Sequence, residues 1–387
     1  MRIAIDCKNQ ALYGGGIAHW AAEVLPAWIR SCPDDEVVLV TPVGRDARPV
    51  DLPCTRVVHT PWRSALPAHA RHAMYDNLSF PHAISAIRPD LVFSPYHDVR
   101  MPASVTSVIT VYDMCYLDAS DCYPWALRAY RMGMLKVNAM RAAHVITDSH
   151  HAKSRLVATL GMARDRVSVV PCSLPPEFLS APPPPAAVNA FRQRMAGEYA
   201  GRKLLLYSGG IEYRKNVPGL LAALRQLWDA GEPISLLMTG TLAPRWQPLF
   251  PEVTGYPERV RFLGRLSLDE MRLAYEAADA VVYPTRCEGF GRVCLEAMAC
   301  GTPFACSDLE VLREVAGDYP RYFDPSKPQD IAAAILASCT AGRQPRRQDM
   351  RFAVDTVRQA FQDAMRPIVQ KLRTAVRAST SSRPPKS

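Results

Sequence analysis

Two glutamates beside a glycine-containing turn are the residues of this sequence whose types and spacing best suit chemistry. Glu288 and Glu296 are separated by seven residues, and Gly289 and Gly291 follow the first of them. Glycines let a backbone turn sharply and approach a ligand closely. Two carboxylates at this spacing can accept hydrogen bonds from two separate sets of hydroxyl groups. The pattern indicates a ligand that carries hydroxyls on both sides of a diphosphate, as a sugar and a ribose would.

The elements around this turn must position both carboxylates. The apolar run 277–283 predicts a buried strand that ends at Pro284, where a ladder hydrogen bond would be lost. The run 293–299 consists largely of helix formers and predicts a helix that ends at Gly301. A helix N-terminus presents backbone N–H groups and a dipole that favour an anion. An ordinary β-turn-α unit with two solvated glutamates is the alternative, and spacing alone does not separate the two interpretations.

A second glycine loop could face the same anion. Gly14, Gly15 and Gly16 follow a predicted first strand at 2–7 and precede a helical pattern. They do not form a dinucleotide fingerprint, because His19 stands where that motif needs its third glycine. A flexible connection is the alternative interpretation.

Arg214 and Lys215 stand at the start of a helical pattern at 218–230. Cations oppose the dipole at a helix N-terminus, so an anion would give the reason for placing them there. Beside a diphosphate they would balance its charge and stabilise it as a leaving group. A solvated charge pair is the alternative.

Length and pattern predict two doubly wound domains. The 387 residues exceed one typical core, and short β-rich runs alternate with helical patterns in both halves, which indicates parallel sheets. A proline-rich stretch separates the halves. The predicted segments are a Rossmann-like domain at 1–174, a linker at 175–190, a second Rossmann-like domain at 191–350, a C-terminal helix at 351–377 and a disordered basic tail at 378–387.

Polar residues follow several predicted strands of the first half, where ligands of such sheets bind. His97 follows one strand, and Tyr112 and Asp113 follow the next. Asp113 and His97 could orient or deprotonate a hydroxyl. Capping of the next helix is the alternative role for both residues.

The charge is unevenly distributed. Residues 343–387 hold 11 Lys and Arg against 3 Asp and Glu, which leaves 35 against 34 in the rest of the chain. A nearly neutral body argues against a nucleic-acid groove. The mixed basic and aromatic pattern at 123–144 admits three interpretations: a solvated helix face with a core stripe, contact with a phosphate-bearing acceptor, or peripheral contact with the anionic surface on the cytoplasmic side of a membrane.

The cysteines and the N-terminus predict a cytoplasmic protein. The eleven cysteines are scattered and contain no C-x-x-C pair, so neither a disulfide framework nor a zinc knuckle is indicated, and we expect reduced thiols. The chain begins as a strand, without the apolar region of a signal peptide, and contains no apolar run of about 18 residues.

The segment 288–303, E-G-F-G-R-V-C-L-E-A-M-A-C-G-T-P, resembles the donor signature of the retaining family 4 glycosyltransferases. The resemblance implies the GT-B fold, in which two Rossmann-like domains face each other across a cleft. It implies an acceptor-binding first domain, a second domain that binds the nucleotide sugar, and a C-terminal helix that crosses back to the first domain. The chain contains no D-x-D pair, so no metal-chelating signature is present and we expect metal-independent transfer.

The resemblance also implies roles for single residues. Glu296 would bind the ribose hydroxyls, Glu288 the donor sugar and Lys215 the phosphates. The implied catalytic set is Glu288, Lys215, Arg214 and Asp113. The other implied donor-binding residues are Gly15, Gly16, Gly289, Phe290, Gly291, Arg292, Gly240 and Arg265.

The sequence departs from the family pattern at two positions. Gly210 stands where the family often has an arginine, so Arg214 is the candidate second cation. Tyr112 stands in place of the histidine before the aspartate, which makes His97 and His19 candidate substitutes on the acceptor side.

The implied reaction moves a sugar from a nucleotide-diphosphate donor to a glycan or lipid-linked acceptor, with retention and an α-linked product. GDP-mannose is our first choice of donor, and polysaccharide or lipopolysaccharide biosynthesis is the implied context. No cofactor other than the donor is expected, and the departing diphosphate is the expected base. The alternatives are a sugar-nucleotide 2-epimerase, whose family shares two domains but lacks the Glu-x7-Glu signature, and a non-catalytic nucleotide-sugar-binding protein.

Overall fold

The computed structural model describes residues 1–12, 16–43, 51–62, 66–196, 201–240, 247, 251, 253 and 255–381. The chain forms two compact units. The first unit comprises Met1–Met114, Pro124–Ser173 and the described part of Val354–Ser387, and the second comprises Cys115–Tyr123 and Leu174–Ala353.

The first unit is built on a parallel sheet in which seven strands are described, in the order β3-β2-β1-β4-β5-β6-β7. Its central strands are buried, apolar runs such as Ile3 to Ile5, as expected for strands covered on both faces. The strands are Arg2–Asp6 (β1), Glu36–Val43 (β2), Arg56–Pro61 (β3), Leu91–Ser94 (β4), Thr106–Thr110 (β5), His144–Thr147 (β6) and Val167–Val169 (β7).

The second unit repeats this design with six described parallel strands, in the order β10-β9-β8-β11-β12-β13. The predicted strand at 277–283 is confirmed in its second part only, because Ala277 ends the preceding helix. The strands are Lys203–Ser208 (β8), Ile234–Thr239 (β9), Val260–Gly264 (β10), Ala280–Tyr283 (β11), Phe304–Ser307 (β12) and Arg321–Phe323 (β13).

Helices connect the strands in both units. Two of them, α8 and α9, begin at prolines inside the predicted linker, since proline has the backbone angle that a first helical turn needs. The described α-helices are Lys8–Leu12 (α1), Gly16–Arg30 (α2), Ala68–Met74 (α3), Phe80–Ile87 (α4), Cys115–Asp118 (α5), Trp125–Arg141 (α6), His150–Leu160 (α7), Pro176–Leu179 (α8), Pro185–Ala196 (α9), Val217–Asp229 (α10), Leu268–Ala277 (α11), Arg292–Cys300 (α12), Glu310–Ala316 (α13), Pro328–Thr340 (α14) and Val354–Ser381 (α15).

The last helix belongs to the first unit, as predicted. Phe361 of α15 is fully buried, and its ring lies edge-on to Trp20 at 5.6 Å, Trp28 at 5.7 Å and Phe93 at 5.3 Å between ring centroids. The prediction of two doubly wound parallel-sheet units, with a C-terminal helix that returns to the first, is therefore confirmed.

Among the described helices, none has both the length and the apolar composition that spanning a bilayer requires.

We predict that Phe361→Ala lowers the unfolding free energy of the first unit by about 3 to 5 kcal/mol, because the cavity would remove contacts with three buried rings. Urea unfolding followed by tryptophan fluorescence measures this loss, since Trp20 and Trp28 both contact Phe361. Gln370→Ala, at an exposed position of the same helix, is the control and should stay within about 0.5 kcal/mol of wild type. Equal losses in the two variants would contradict the prediction.

Candidate functional site

The turn that carries Glu288 connects strand β11 to helix α12. Pro284 follows the last residue of β11, and α12 begins at Arg292. Gly291 adopts φ 92°, and a Cβ at this position would lie 2.5 Å from the side chain of Leu312. The left-handed backbone angle favours glycine, and Leu312 would have to shift to admit a larger residue, so the sharp entry into the helix is best served by Gly291.

Glu288 is held by three donors. Its Oε1 accepts hydrogen bonds from Lys215 Nζ at 2.6 Å, Thr285 Oγ1 at 2.8 Å and Arg214 Nη1 at 3.0 Å. Lys215 Nζ also donates to the hydroxyl of Tyr283 at 2.6 Å. The structure thus brings the predicted residues Glu288, Lys215 and Arg214 into one cluster, in which Lys215 is buried and the other two are half-buried.

The two cations decide the charge of Glu288. Burial alone would raise its pKa, but the Lys215 ammonium and the Arg214 guanidinium outweigh burial and hold the pKa of Glu288 at about 2. The carboxylate is therefore ionised at neutral pH and can accept hydrogen bonds from ligand hydroxyls.

The cluster also explains why two cations precede a helix. Arg214 and Lys215 lie in a 3₁₀ turn before α10, and the anion that offsets them is Glu288, with Glu212 3.1 Å from Arg214 Nε. These charges roughly balance, so a bound diphosphate would also need the backbone amides at the start of α12.

Glu296 lies on α12 in a different environment. Its Oε2 accepts a hydrogen bond from the Tyr275 hydroxyl at 2.6 Å, and its Oε1 lies 3.7 Å from Arg292 Nη2. Burial raises the pKa of Glu296, although Arg292 opposes the shift. The two carboxylates of the signature thus have separate hydrogen-bond partners, and their pKa values are shifted in opposite directions.

Glycines line the carboxyl ends of the neighbouring strands. Gly240 follows β9 with φ 125°, and a Cβ there would collide with the carbonyl oxygen of Gly209, which follows β8. Gly240 also donates its backbone N–H to the carbonyl oxygen of Gly264 at 2.8 Å. The predicted residue Gly240 therefore permits a close approach of two strand ends, and Arg265 follows β10 with an exposed side chain.

Phe290 and Arg292 of the predicted donor set face protein neighbours. The buried Phe290 ring packs edge-on against Phe352, with 5.4 Å between ring centroids, and so stabilises the turn. The Arg292 side chain is mostly buried beside Glu296. Gly289, between Glu288 and Phe290, completes the turn.

His97 of the first unit lies in a buried polar cluster at the carboxyl end of β4. Its Nε2 is 3.2 Å from Asp98, which also lies 3.4 Å from Arg131 Nε. Asn138 donates to the backbone oxygen of His97 at 2.7 Å. Burial lowers the pKa of His97, although Asp98 opposes the shift, and this favours a neutral imidazole.

The other predicted residues of the first unit are spread over two elements. Tyr112 and Asp113 follow β5, where the buried Tyr112 ring packs edge-on against Trp20 at 5.7 Å and Asp113 is half-buried. Gly16 begins α2 and His19 is half-buried on it, whereas Gly15 lies outside the described residues.

Sequence reasoning missed a buried ion pair at the start of α1. Lys8 pairs with Asp76, which lies in a π-helical turn at Tyr75–Ser79, and the Tyr75 hydroxyl donates to Asp6 at 2.9 Å. Burial raises the pKa of Asp76 to about 6, although Lys8 opposes the shift. The paired residues are 68 positions apart, so no local pattern could have revealed them.

The expectation that all cysteines are reduced is wrong for one pair. Cys115 and Cys287 form a disulfide, while the other nine cysteines are free. The partners are 172 residues apart and belong to no spacing motif, which is why no sequence pattern signalled the bond. Cys287 directly precedes Glu288, so the bond adjoins the candidate site.

Within the described parts of the chain, no group of three or more His, Cys, Asp or Glu side chains is arranged to hold a metal ion.

Two family models match the two halves of the chain. The model of glycosyltransferase family 4 matches residues 14–178, and the model of glycosyl transferases group 1 matches residues 191–351. The second match contains Lys215, Glu288 and Glu296, three of the charged residues of the site in the second unit.

Curated relatives agree with these models, and a solved structure shares the fold. The chain is 29% identical to O-antigen chain mannosyltransferase B of Escherichia coli, over 60% of this chain and 61% of the relative. It is 26% identical to O-antigen chain mannosyltransferase RfbU of Salmonella typhimurium, over 63% and 64%. Both matches thus span less than two thirds of the relative. A crystal structure of Anabaena HepE in complex with UDP-glucose superposes with a TM-score of 0.69 at 16% identity, covering 96% of this chain and all of that one.

We predict that the Glu288 cluster contributes stability that acid removes. The folded pKa of about 2 lies below the value of about 4.3 expected in an unfolded chain, so the contribution is complete above about pH 4.3 and declines as the pH falls towards 2. Between about pH 7 and pH 3, wild type should lose about 2 kcal/mol more unfolding free energy than Glu288→Gln. Urea titrations at both pH values measure the difference, and parallel losses would show that Glu288 is not ionised in this way.

Gly240→Ala tests the close approach of the strand ends. The added Cβ would meet the Gly209 carbonyl oxygen and adopt a strained backbone angle, so we expect a loss of more than about 3 kcal/mol. Gly231→Ala is the matched control, since Gly231 has φ 84° but nothing within 4 Å of an added Cβ, and it should cost about 1 kcal/mol. Thermal or urea unfolding compares the two variants, and similar costs would argue against tight packing at Gly240.

Proposed function

Because the chain belongs to the group 1 and family 4 glycosyltransferases, we propose that it transfers a sugar from a nucleotide-diphosphate donor to a saccharide or lipid-linked acceptor. The observation that carries the proposal is the ionised Glu288, fixed by Lys215 and Arg214 in the glycine turn at the start of α12. Such a carboxylate can orient sugar hydroxyls while the helix N-terminus receives the diphosphate.

The remaining charged groups of the second unit supply the other contacts. Glu296, oriented by Tyr275 and Arg292, binds the ribose hydroxyls in this proposal. Lys215 and Arg214 stabilise the departing diphosphate together with the amides of the turn. Charge on the leaving group is then offset without a metal ion, which is why we propose metal-independent transfer.

We further propose retention of the anomeric configuration. The acceptor hydroxyl attacks the face from which the diphosphate departs, and the diphosphate takes up the hydroxyl proton. Asp113 and the neutral His97, both at strand ends of the first unit, orient the acceptor in this proposal, with Tyr112 and His19 as further contacts.

Mannose from GDP-mannose is the proposed donor sugar. The support comes from the two O-antigen chain mannosyltransferases among the relatives, which also favour a saccharide acceptor of lipopolysaccharide synthesis. A cytoplasmic location, with peripheral contact to the inner membrane face, stays a prediction.

Release of GDP, UDP and TDP from a panel of nucleotide sugars tests the activity. We expect turnover with GDP-mannose, and a fall in kcat/KM of roughly 100-fold or more in Glu288→Gln because an orienting charge is lost. Glu296→Gln should mainly raise the KM for the donor, by about tenfold, because a ribose contact is weakened. Glu258→Gln, at an exposed glutamate of the same unit, is the control and should match wild type.

Two outcomes would contradict the proposal. Absence of turnover and hydrolysis with every donor would remove the enzymatic function and favour a nucleotide-sugar-binding protein. Conversion of the donor into an epimer without any acceptor would favour a 2-epimerase. Analysis of the products with and without acceptor distinguishes these cases.

A further inference from the structure

The disulfide between Cys115 and Cys287 ties a short segment to the turn of the candidate site. The segment is Cys115–Tyr123, which consists of α5 and a 3₁₀ turn at Ser120–Cys122 and belongs to the same compact unit as Cys287. Glu288 follows Cys287 directly, and Asp113 precedes Cys115 by two residues. Each cysteine of the bond is therefore close in sequence to a residue that we place in catalysis.

The disulfide is the covalent link between this segment and the turn. Cys115 and Cys287 also pack with Ala119 and Cys122 in a small buried cluster. Arg286 and Asp121 form an ion pair at the same contact, with 2.6 Å between the charged atoms. The Arg286 side chain is 40% exposed and the Asp121 side chain is 62% exposed. An ion pair that exposed stabilises a contact only weakly. Reduction of the disulfide would therefore replace a covalent link by non-covalent contacts of this kind.

The position of Cys287 is coupled to that of Glu288 through Arg214. One guanidinium nitrogen of Arg214 donates both to the Cys287 carbonyl oxygen at 3.2 Å and to Glu288 Oε1 at 3.0 Å. The backbone N–H of Arg286 donates to the Arg214 carbonyl oxygen at 2.7 Å. A shift of Cys287 would consequently disturb the hydrogen bonds that fix the Glu288 carboxylate.

The remaining cysteines show that the bond is not part of a disulfide framework. Nine of the eleven are free, and all of these except Cys54 are buried. In the reducing cytoplasm, the location predicted for this protein, a disulfide is usually transient and serves catalysis or redox sensing. Cys287 is 7% exposed and Cys115 is fully buried, so Cys287 is the residue of the pair at which we place the attack of a small thiolate.

We propose that Cys115 and Cys287 form a reversible thiol–disulfide site through which small thiols of the glutathione class control the Glu288 turn. A thiolate attacks the Cys287 sulfur, forms a mixed disulfide and releases the Cys115 thiolate, which takes up a proton. A second small thiolate then attacks the small-molecule sulfur of the mixed disulfide, and Cys287 leaves as a thiolate that is protonated. The net change is one protein disulfide and two thiols converted into two protein thiols and one small disulfide. The effect on transfer rests on the proposed function, whereas the exchange itself does not.

Exchange is tested on the full chain without any donor. The protein is equilibrated in glutathione buffers of graded ratio, alkylated with two mass-distinct reagents before and after denaturation, and digested for mass spectrometry. Cys115 and Cys287 should change state together within the range of the buffers, while the buried Cys294 and Cys306 stay thiols throughout. A pair that remains oxidised, or remains reduced, at every ratio would overturn the proposal.

Coupling between the disulfide and the Glu288 turn is measured separately, by hydrogen–deuterium exchange. Hydrogen–deuterium exchange of peptides that span 284–291 should become faster on reduction, and the double variant Cys115→Ala/Cys287→Ala should show the faster exchange in every buffer. Cys54→Ser, at the exposed thiol, is the control and should respond as wild type does. Equal exchange in the oxidised and reduced proteins would overturn the coupling, whether or not the chain is an active transferase.

The consequence for activity is measured by GDP release from GDP-mannose. The reduced wild type and the double variant should both show roughly tenfold lower kcat/KM than the oxidised protein, because a displaced turn misaligns the donor. Equal activity in the two states would overturn the regulatory role. Absence of turnover in both states would refute the proposed function, while the alkylation and exchange results would still decide whether the thiol site exists.

Discussion

A mostly buried carboxylate, whose side chain is 10% exposed and lies between two cations, is the interaction on which the candidate site depends. Glu288 without its partners would be an unpaired buried charge, and removing one partner of such a pair costs about 3 to 5 kcal/mol. Lys215 follows β8 and Glu288 follows β11, and the two residues are 73 positions apart in the chain. They meet because β8 and β11 are neighbours in the parallel sheet and end at the same edge. The strand order of the second unit therefore determines that Lys215 and Glu288 come together in the site.

The same edge requires small residues wherever two backbones approach. Gly209 and Gly240 meet there, and Gly291 fills a place where a side chain would collide with Leu312. Packing, hydrogen bonds and a disulfide one residue away together set the position of Glu288 in this turn. A rigid turn of this kind suits a group that must orient a ligand without moving.

The sequence revealed those features of the site that are local in the chain. The spacing of Glu288 and Glu296, the glycine turn and the alternation of strands and helices follow from neighbouring residues. They predicted the fold and named Glu288, Lys215 and Arg214 as site residues, but not the ion pairs that join these three. Partners distant in the chain were not predictable. Tyr275 reaches Glu296 across 21 residues, and Lys8 reaches Asp76 across 68, so neither contact belongs to any periodic pattern. Only the folded sheet order brings such pairs together.

The return of α15 to the first unit affects how the chain can fold during synthesis. Phe361 fills the space among Trp20, Trp28 and Phe93, yet it leaves the ribosome about 270 residues after the last of those rings. Until then the first unit exposes an apolar surface that its own N-terminal residues cannot cover. The second unit, whose residues all precede α15, can complete its core first. The unit that is translated first thus completes its core last. During that interval its exposed apolar surface is available to chaperones.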